Sequence, residues 1–190
     1  MRSIHHPEVG LMMRMISLRQ LISFILIPGI LALALNVGVM VRPVQAAIRQ
    51  LEEAPGQVVY QSRQTLKDQQ GNIWQAIAFK RVKPDGTAGI YLRLVAFPGV
   101  AEVDHTRPLK LINSLGKTWT ANDASQQIFT DAAHPEPNVA QYDLQPILIQ
   151  LDPAGPFRLE VPRPDQASTT LNISPALIEE WRSLLEYENL

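Results

Sequence analysis

The chain has 190 residues, 46 % apolar and 18 % charged, with a formal net charge of −1, which is enough for one ordinary domain and an extra segment. Cysteine is absent. That excludes disulfides, thiolate zinc sites, iron–sulfur clusters, cysteine nucleophiles and lipid attachment at a cysteine. The 144 residues after Ala46 carry 13 Lys+Arg and 17 Asp+Glu, a net charge of −4, so the basic surplus of a nucleic-acid binder is missing.

Arg14 and Arg19 precede an uncharged run over 21–41, and Arg42-Pro43-Val44-Gln45-Ala46-Ala47 follows it. A positive flank, an apolar core and a small-residue site are the layout of a secretory signal peptide. Val44 and Ala46 fit the two small subsites of the peptidase, with the cut after Ala46. Pro43 ends any helix and offers the protease an extended chain. Met12, Met13 and Met15 are alternative starts, and Met15 leaves a leader of ordinary length. The rival reading of 1–46 is an uncleaved N-terminal membrane anchor. As a helix the uncharged run reaches about 30 Å, enough to span a bilayer, although Pro28, Gly29, Asn36 and Gly38 weaken it as a permanent span. Either way the upstream arginines stay in the cytoplasm and 47–190 crosses. No Arg-Arg pair precedes the core, so the general secretion route is expected, and the domain crosses unfolded with no preloaded cofactor.

Residues 47–57 read as a polar lead-in broken at Pro55-Gly56, and 58–190 as one β-rich domain. The stretch 58–66 alternates, with Val58, Tyr60 and Leu66 on one side. After a turn at 68–72, residues 73–79 are apolar on both faces, which predicts a central strand covered twice. Pro84-Asp85-Gly86-Thr87 is a tight-turn signal, and 90–97 returns as a third strand of a meander. A second hairpin is expected around Leu115-Gly116. Residues 139–145 suggest a short helix capped by Asn138. The run 147–151 is ambiguous, while 157–161 and 168–173 alternate as strands. Ser174 as cap, Pro175 at the first helical position and an apolar face of Leu177, Ile178, Trp181, Leu184 and Leu185 predict a closing helix over 175–187. The fold class that follows is mainly β: an antiparallel sandwich or partly closed barrel with a C-terminal amphipathic helix, an α+β arrangement being the alternative.

Catalytic motifs are absent from the sequence: no Gly-x-Gly-x-x-Gly, no phosphate loop and no Gly-x-Ser-x-Gly. Asp104-His105 is the pair that resembles a general base with its carboxylate, with Ser114 or Ser125 as conceivable nucleophiles. Neighbours in an extended loop rarely face each other, so a solvated loop is the plainer reading. Asp123, Asp131, His134, Glu136 and Asp143 include oxygen and imidazole donors, and Asp131, His134 and Glu136 are the candidate metal ligands. The Asp-x-Asp-x-Asp spacing of a calcium loop is missing, and the interspersed prolines favour an exposed extended loop. Lys80, Arg81 and Lys83 suit an acidic partner or anionic lipid, but a solvated hairpin end that discourages edge pairing is the plainer reading. Trp74, Trp119 and Trp181 read as core before they read as a ligand pocket. The 97–100 turn, Phe-Pro-Gly-Val, is either a functional loop or a buried corner.

Glu52-Glu-Ala-Pro-Gly-Gln-Val-Val-Tyr-Gln-Ser-Arg-Gln-Thr-Leu66 sets a pattern. Together with Trp74-Gln-Ala-Ile-Ala-Phe-Lys80, Leu92-Arg-Leu-Val-Ala-Phe-Pro-Gly99 and Asp123-Ala-Ser-Gln-Gln-Ile-Phe129, it resembles a family of exported cyanobacterial proteins known only as a domain of unknown function. The likeness covers about residues 47–185. It implies a cyanobacterial setting and export to the periplasm or thylakoid lumen, and it brings no activity or site residues with it.

No catalytic residue and no cofactor is therefore expected. The functional expectation is a non-catalytic exported accessory or assembly protein, with a protein or membrane-bound complex, such as a photosynthetic one, as partner. A carrier of a small apolar ligand is the alternative, requiring a barrel interior lined by Trp74, Phe79 and Leu94. A hydrolase around His105 or His134 is the third.

Overall fold

A computed structural model describes residues 48–128, 136–165 and 167–187. The leader expected over 1–46 lies outside the described residues, as do Asp131 and His134. None of the described helices is long and apolar enough to cross a membrane.

Nine strands of the described residues form two antiparallel sheets. The first contains β1 (Arg49–Ala54), β2 (Gln57–Lys67), β3 (Ile73–Val82), β4 (Ala88–Ala96) and β7 (Val139–Asp143), in the order β1-β2-β3-β4-β7. The second contains β5 (Leu109–Asn113), β6 (Thr118–Ala121), β8 (Phe157–Pro162) and β9 (Ser168–Ile173), in the order β6-β5-β8-β9. Two helices complete the fold, α1 (Gln145–Leu148) and α2 (Pro175–Ser183). The sheets do not close into a barrel. Two isolated bridges do stitch them together: Asp68 pairs with Leu171 beyond the end of β2, and Asp123 pairs with Tyr142 of β7.

The alternation read from the sequence sets the register. Tyr60, Lys80 and Ile90 share one rung, and Ser62, Ala78, Leu92 and Tyr142 the next. This is the inner face of the larger sheet, and Leu92, Leu94, Trp74 and Tyr142 on it are at most 1 % exposed. Leu109, Leu111, Phe157 and Leu159 oppose them from the smaller sheet within one core. All three tryptophans belong to that core.

Three local expectations are corrected. The lead-in is a strand: β1 pairs with β2 through a turn at Gly56, whose φ of +74° suits glycine. Its residues are all exposed, so cross-strand pairing rather than burial holds it. The helix expected over 139–145 is instead β7, a strand against β4. Asn138 does not cap; its side-chain amide donates to the Ala96 carbonyl at 2.8 Å. The helical turn begins later, at Gln145. Finally, β3 is central, but only one of its faces meets the second sheet.

The closing helix starts as expected, with the Ser174 hydroxyl accepting from the Leu177 N–H at 3.2 Å. It ends earlier, at Ser183, and the chain tightens into i→i−3 bonds from Leu184, Leu185 and Glu186. Leu177, Ile178 and Trp181 face inward. The segment after the helix lies across the inner face of β2 and β3. There Lys80 donates to the Leu185 carbonyl at 3.4 Å and Tyr60 stacks on Tyr187 at 4.8 Å.

Candidate functional site

The outer face of the five-stranded sheet carries a second, smaller apolar cluster of Val59, Ile77 and Phe79, with Tyr91 packed beside it. All four side chains come from β2, β3 and β4, so the cluster has no contribution from the other sheet. One rung reads Gln61, Phe79, Tyr91 and Asp143. The next reads Arg63, Ile77, Arg93 and Gln141, and the rung on the other side reads Val59, Arg81 and Gly89. Strand pairing therefore sets three arginines around one phenylalanine, although 18 residues separate Arg63 from Arg81 and 12 separate Arg81 from Arg93.

The geometry of the arginines is specific. Arg81 and Arg93 each hold their guanidinium 5.3 Å from the Phe79 ring centroid. Long side chains thus shield Ile77 and Phe79 from water while keeping their charges outward. Arg81 makes a two-pronged pair with Glu53 of β1, at 2.8 and 3.0 Å. That pair, above all through its hydrogen bond, holds the Glu53 carboxyl below its ordinary pKa. Arg93 donates to the Gln141 side-chain carbonyl at 2.9 and 3.3 Å. Burial lowers the Arg93 pKa, and the nearby charges of Arg81 and Arg63 add to that effect. Arg63 is exposed, with a long 3.4 Å contact to Gln75. The face extends to exposed Ile73 and Phe97. The 97–100 turn is thus not a buried corner, since Phe97 is 62 % exposed.

The basic run before the Pro84 turn is not a cluster in space. Lys80 points into the interior side, Arg81 lies on the outer face, and Lys83 is exposed at the turn. Strand alternation separates neighbours, and the register supplies Arg63 and Arg93 instead, which composition along the chain does not reveal.

The second place with chemical potential is the cleft of about 370 Å³ lined by His105, Asn122, Asp123, Gln126 and Asp143. Here the Asp104–His105 pairing does not form. Asp104 accepts from Thr106 N–H and Oγ1 and from Arg107 Nε, at 2.9, 2.6 and 2.8 Å, and these bonds, led by the Thr106 hydroxyl, lower its pKa. The carboxylate beside His105 is Asp123, 3.2 Å from Nδ1, and Ser125 Oγ stands 3.2 Å from that same nitrogen. In a nucleophilic relay the two ring nitrogens serve the serine and the carboxylate separately. Here one nitrogen meets both. Ser125 Oγ donates to Asp123 at 2.8 Å and accepts from the Gln141 N–H at 2.9 Å, and the residue is 2 % exposed. Such a hydroxyl ties the crossover to β7 and is not presented to a substrate. Ser114 is exposed on the β5–β6 turn, remote from this cluster in the fold.

Glu136, the one candidate metal ligand among the described residues, is exposed, and its backbone carbonyl accepts from Val139. The described residues contain no group of three acidic, histidine or cysteine side chains arranged to hold a metal ion. Nor do Trp74, Leu94 and Phe79 enclose one space. Trp74 and Leu94 belong to the inter-sheet core, and Phe79 lies on the opposite side of the sheet.

The family described as Protein of unknown function (DUF3122) matches residues 46–184, a span that contains all nine strands and both helices. The chain belongs to the DUF3122 family. Neither a curated protein nor a solved structure matches it. For this DUF3122 chain the site must therefore be argued from its own residues, and the arginine-roofed sheet face is the feature that its interior packing does not explain.

Proposed function

We propose that this DUF3122 chain is a non-catalytic accessory or assembly protein that works outside the cytoplasm. It docks the outer face of its five-stranded sheet onto an acidic surface of a partner protein. The observation that carries this reading is the gathering of Arg63, Arg81 and Arg93 around Phe79, with Glu53 as the carboxylate paired to them among the described residues, on a part of the chain whose overall charge is −4. Clustered like charges repel, and a complementary anionic surface relieves that repulsion while steering association.

Export is supported by the leader layout read from the sequence: the arginine flank, the uncharged run over 21–41 and the small-residue site at Val44 and Ala46. In a cyanobacterial cell the compartment is the periplasm or the thylakoid lumen, and a photosynthetic membrane complex is the partner class that location offers.

Fractionation followed by affinity purification of the tagged full chain tests this. The expected result is recovery from the exported fraction with a discrete partner that is released as salt is raised. Recovery with cytosolic enzymes, or alone at native abundance, contradicts it.

A further inference from the structure

Strands β1 and β7 end the larger sheet, and β6 and β9 end the smaller one. An uncovered edge offers unpaired backbone N–H and C=O groups to another strand. Three of these edges are blunted. Asp123 bridges to β7 at Tyr142, Asp68 bridges to β9 at Leu171, and β6 is only four residues long. Strand β1 has six residues, all exposed, and β2 is its one sheet neighbour among the described residues. Its run Arg49-Gln-Leu-Glu-Glu53 complements its own reversal in charge. Leu51 stands beside Val59 of the outer-face cluster, yet it is 47 % exposed. Arg49, opposite Gln61 on that same face, makes no ion pair among the described residues. The Glu53 carboxylate accepts two bonds from Arg81 and one from Gln57. A carboxylate has about four acceptor positions, so one on Oε1 is left for a further donor.

We propose that β1 pairs antiparallel with β1 of a second copy of this chain about a two-fold axis at Leu51, joining two five-stranded sheets into one continuous sheet. In this register Leu51 faces its own counterpart, Arg49 faces Glu53 of the partner subunit, and Gln50 faces Glu52 of the partner subunit. Residues directly opposite in antiparallel strands share a face, so the two outer faces become one surface. The neighbouring registers are poorer. Centring on Glu52 sets two like carboxylates against each other, and centring on Gln50 sets Arg49 against leucine and leaves Glu53 without its cation. The bulge between Glu52 and Ala54 ends the ladder beyond Glu53. Charges that would repel a foreign strand from this edge thus select a copy of the strand itself. The inference is independent of the docking reading, since it uses the sheet edge and leaves the arginine-roofed face open.

Sedimentation of the chain as recovered from its cells is expected to show a concentration-dependent dimer. Arg49→Glu sets a carboxylate against Glu53 at both ends of the ladder and is expected to weaken dimerisation by about tenfold or more, with the melting temperature of the dilute monomer unchanged. The chain has no cysteine, so single introduced cysteines read the register. Opposed Cα atoms in antiparallel strands lie about 4.5–5.5 Å apart, within reach of a disulfide. Leu51→Cys is therefore expected to give a cross-linked dimer on mild oxidation. Gln50→Cys places its two thiols on a diagonal beyond the limit of about 7 Å between Cα atoms, and Leu115→Cys lies on the β5–β6 turn, so both are expected to stay uncross-linked. A wild type that remains monomeric over its whole soluble range overturns the proposal. So does a dimer indifferent to Arg49→Glu, or cross-linking that favours Gln50→Cys or Leu115→Cys over Leu51→Cys. A Leu51→Cys chain captured on another protein and never on itself gives the edge a different occupant and overturns it too. Should Arg49→Glu fail to fold, the cysteine comparison decides. Every arm reads self-association of the chain alone, which loss of an acidic docking partner leaves unaffected.

Discussion

Arg81 and Arg93 lie over the same ring, each guanidinium 5.3 Å from the centroid of Phe79. A phenylalanine that is 3 % exposed on the outer side of a sheet is kept dry by charged side chains rather than by a second layer. Phe79→Ala is expected to cost about 3–5 kcal/mol. Arg93→Met keeps the stem over the ring but strands the fully buried Gln141 carbonyl, a cost of about 1–3 kcal/mol. Urea denaturation of both variants checks the order. An Arg93→Met protein less stable than Phe79→Ala would reverse the account of what holds this face.

Asp68 controls the β2–β3 turn. Its carboxylate accepts from the Gln70 and Asn72 N–H groups, the Asn72 side chain and the Trp74 indole, at 2.8–3.2 Å. Burial alone would raise its pKa, but these hydrogen bonds, those from Asn72 foremost, bring it below the ordinary value. A carboxyl depressed in the folded state contributes stability above its unfolded pKa of about 3.9, and that contribution is lost as pH falls through the folded value. Asp68→Asn should therefore be less stable than wild type at pH 7 by about 1–3 kcal/mol, and the gap should narrow below pH 4. Thermal melts from pH 2 to 7 measure it; a constant gap contradicts the prediction.

Ser125 distinguishes a structural knot from a hydrolase. Its hydroxyl bridges Asp123 and the Gln141 N–H, so Ser125→Ala should destabilise by about 1–3 kcal/mol. A fluorophosphonate probe should leave the folded protein unlabelled. Labelling at Ser125 would revive the hydrolase alternative.

The closing helix carries a second stability test. Trp181 is fully buried, and Trp181→Ala is expected to cost about 3–5 kcal/mol. Ser174→Ala removes the cap on Leu177 and should cost about 1 kcal/mol. Truncation before Trp181 should leave the domain strongly destabilised. An unchanged melting temperature after that truncation would show that the helix is not part of the core.

Much of this architecture was legible because burial imposed a period. Strands β2, β3 and β4 alternate where one face meets the core, and Ser174-Pro175 marks the start of α2 by its chemistry. Strand β1 was not legible, because an exposed polar strand has no apolar pattern and is held by its hairpin partner. Asn138 looked like a cap because its side chain suits one, but tertiary structure turns that amide to the Ala96 carbonyl. The site was hidden for a related reason. His105 meets Asp123 because a crossover brings together residues 18 apart, and the three arginines meet only through cross-strand register.

The most direct measurement of the docking claim places a photo-cross-linking residue at one of two exposed positions in the full chain. Thr65 lies on the outer face of β2, and Leu115, 89 % exposed, lies on the β5–β6 turn. The account predicts one discrete heavier adduct from Thr65, none from Leu115, and loss of the adduct when Arg63→Glu is added without a change in melting temperature. An adduct from Leu115 alone, or a Thr65 adduct indifferent to Arg63→Glu, would contradict it.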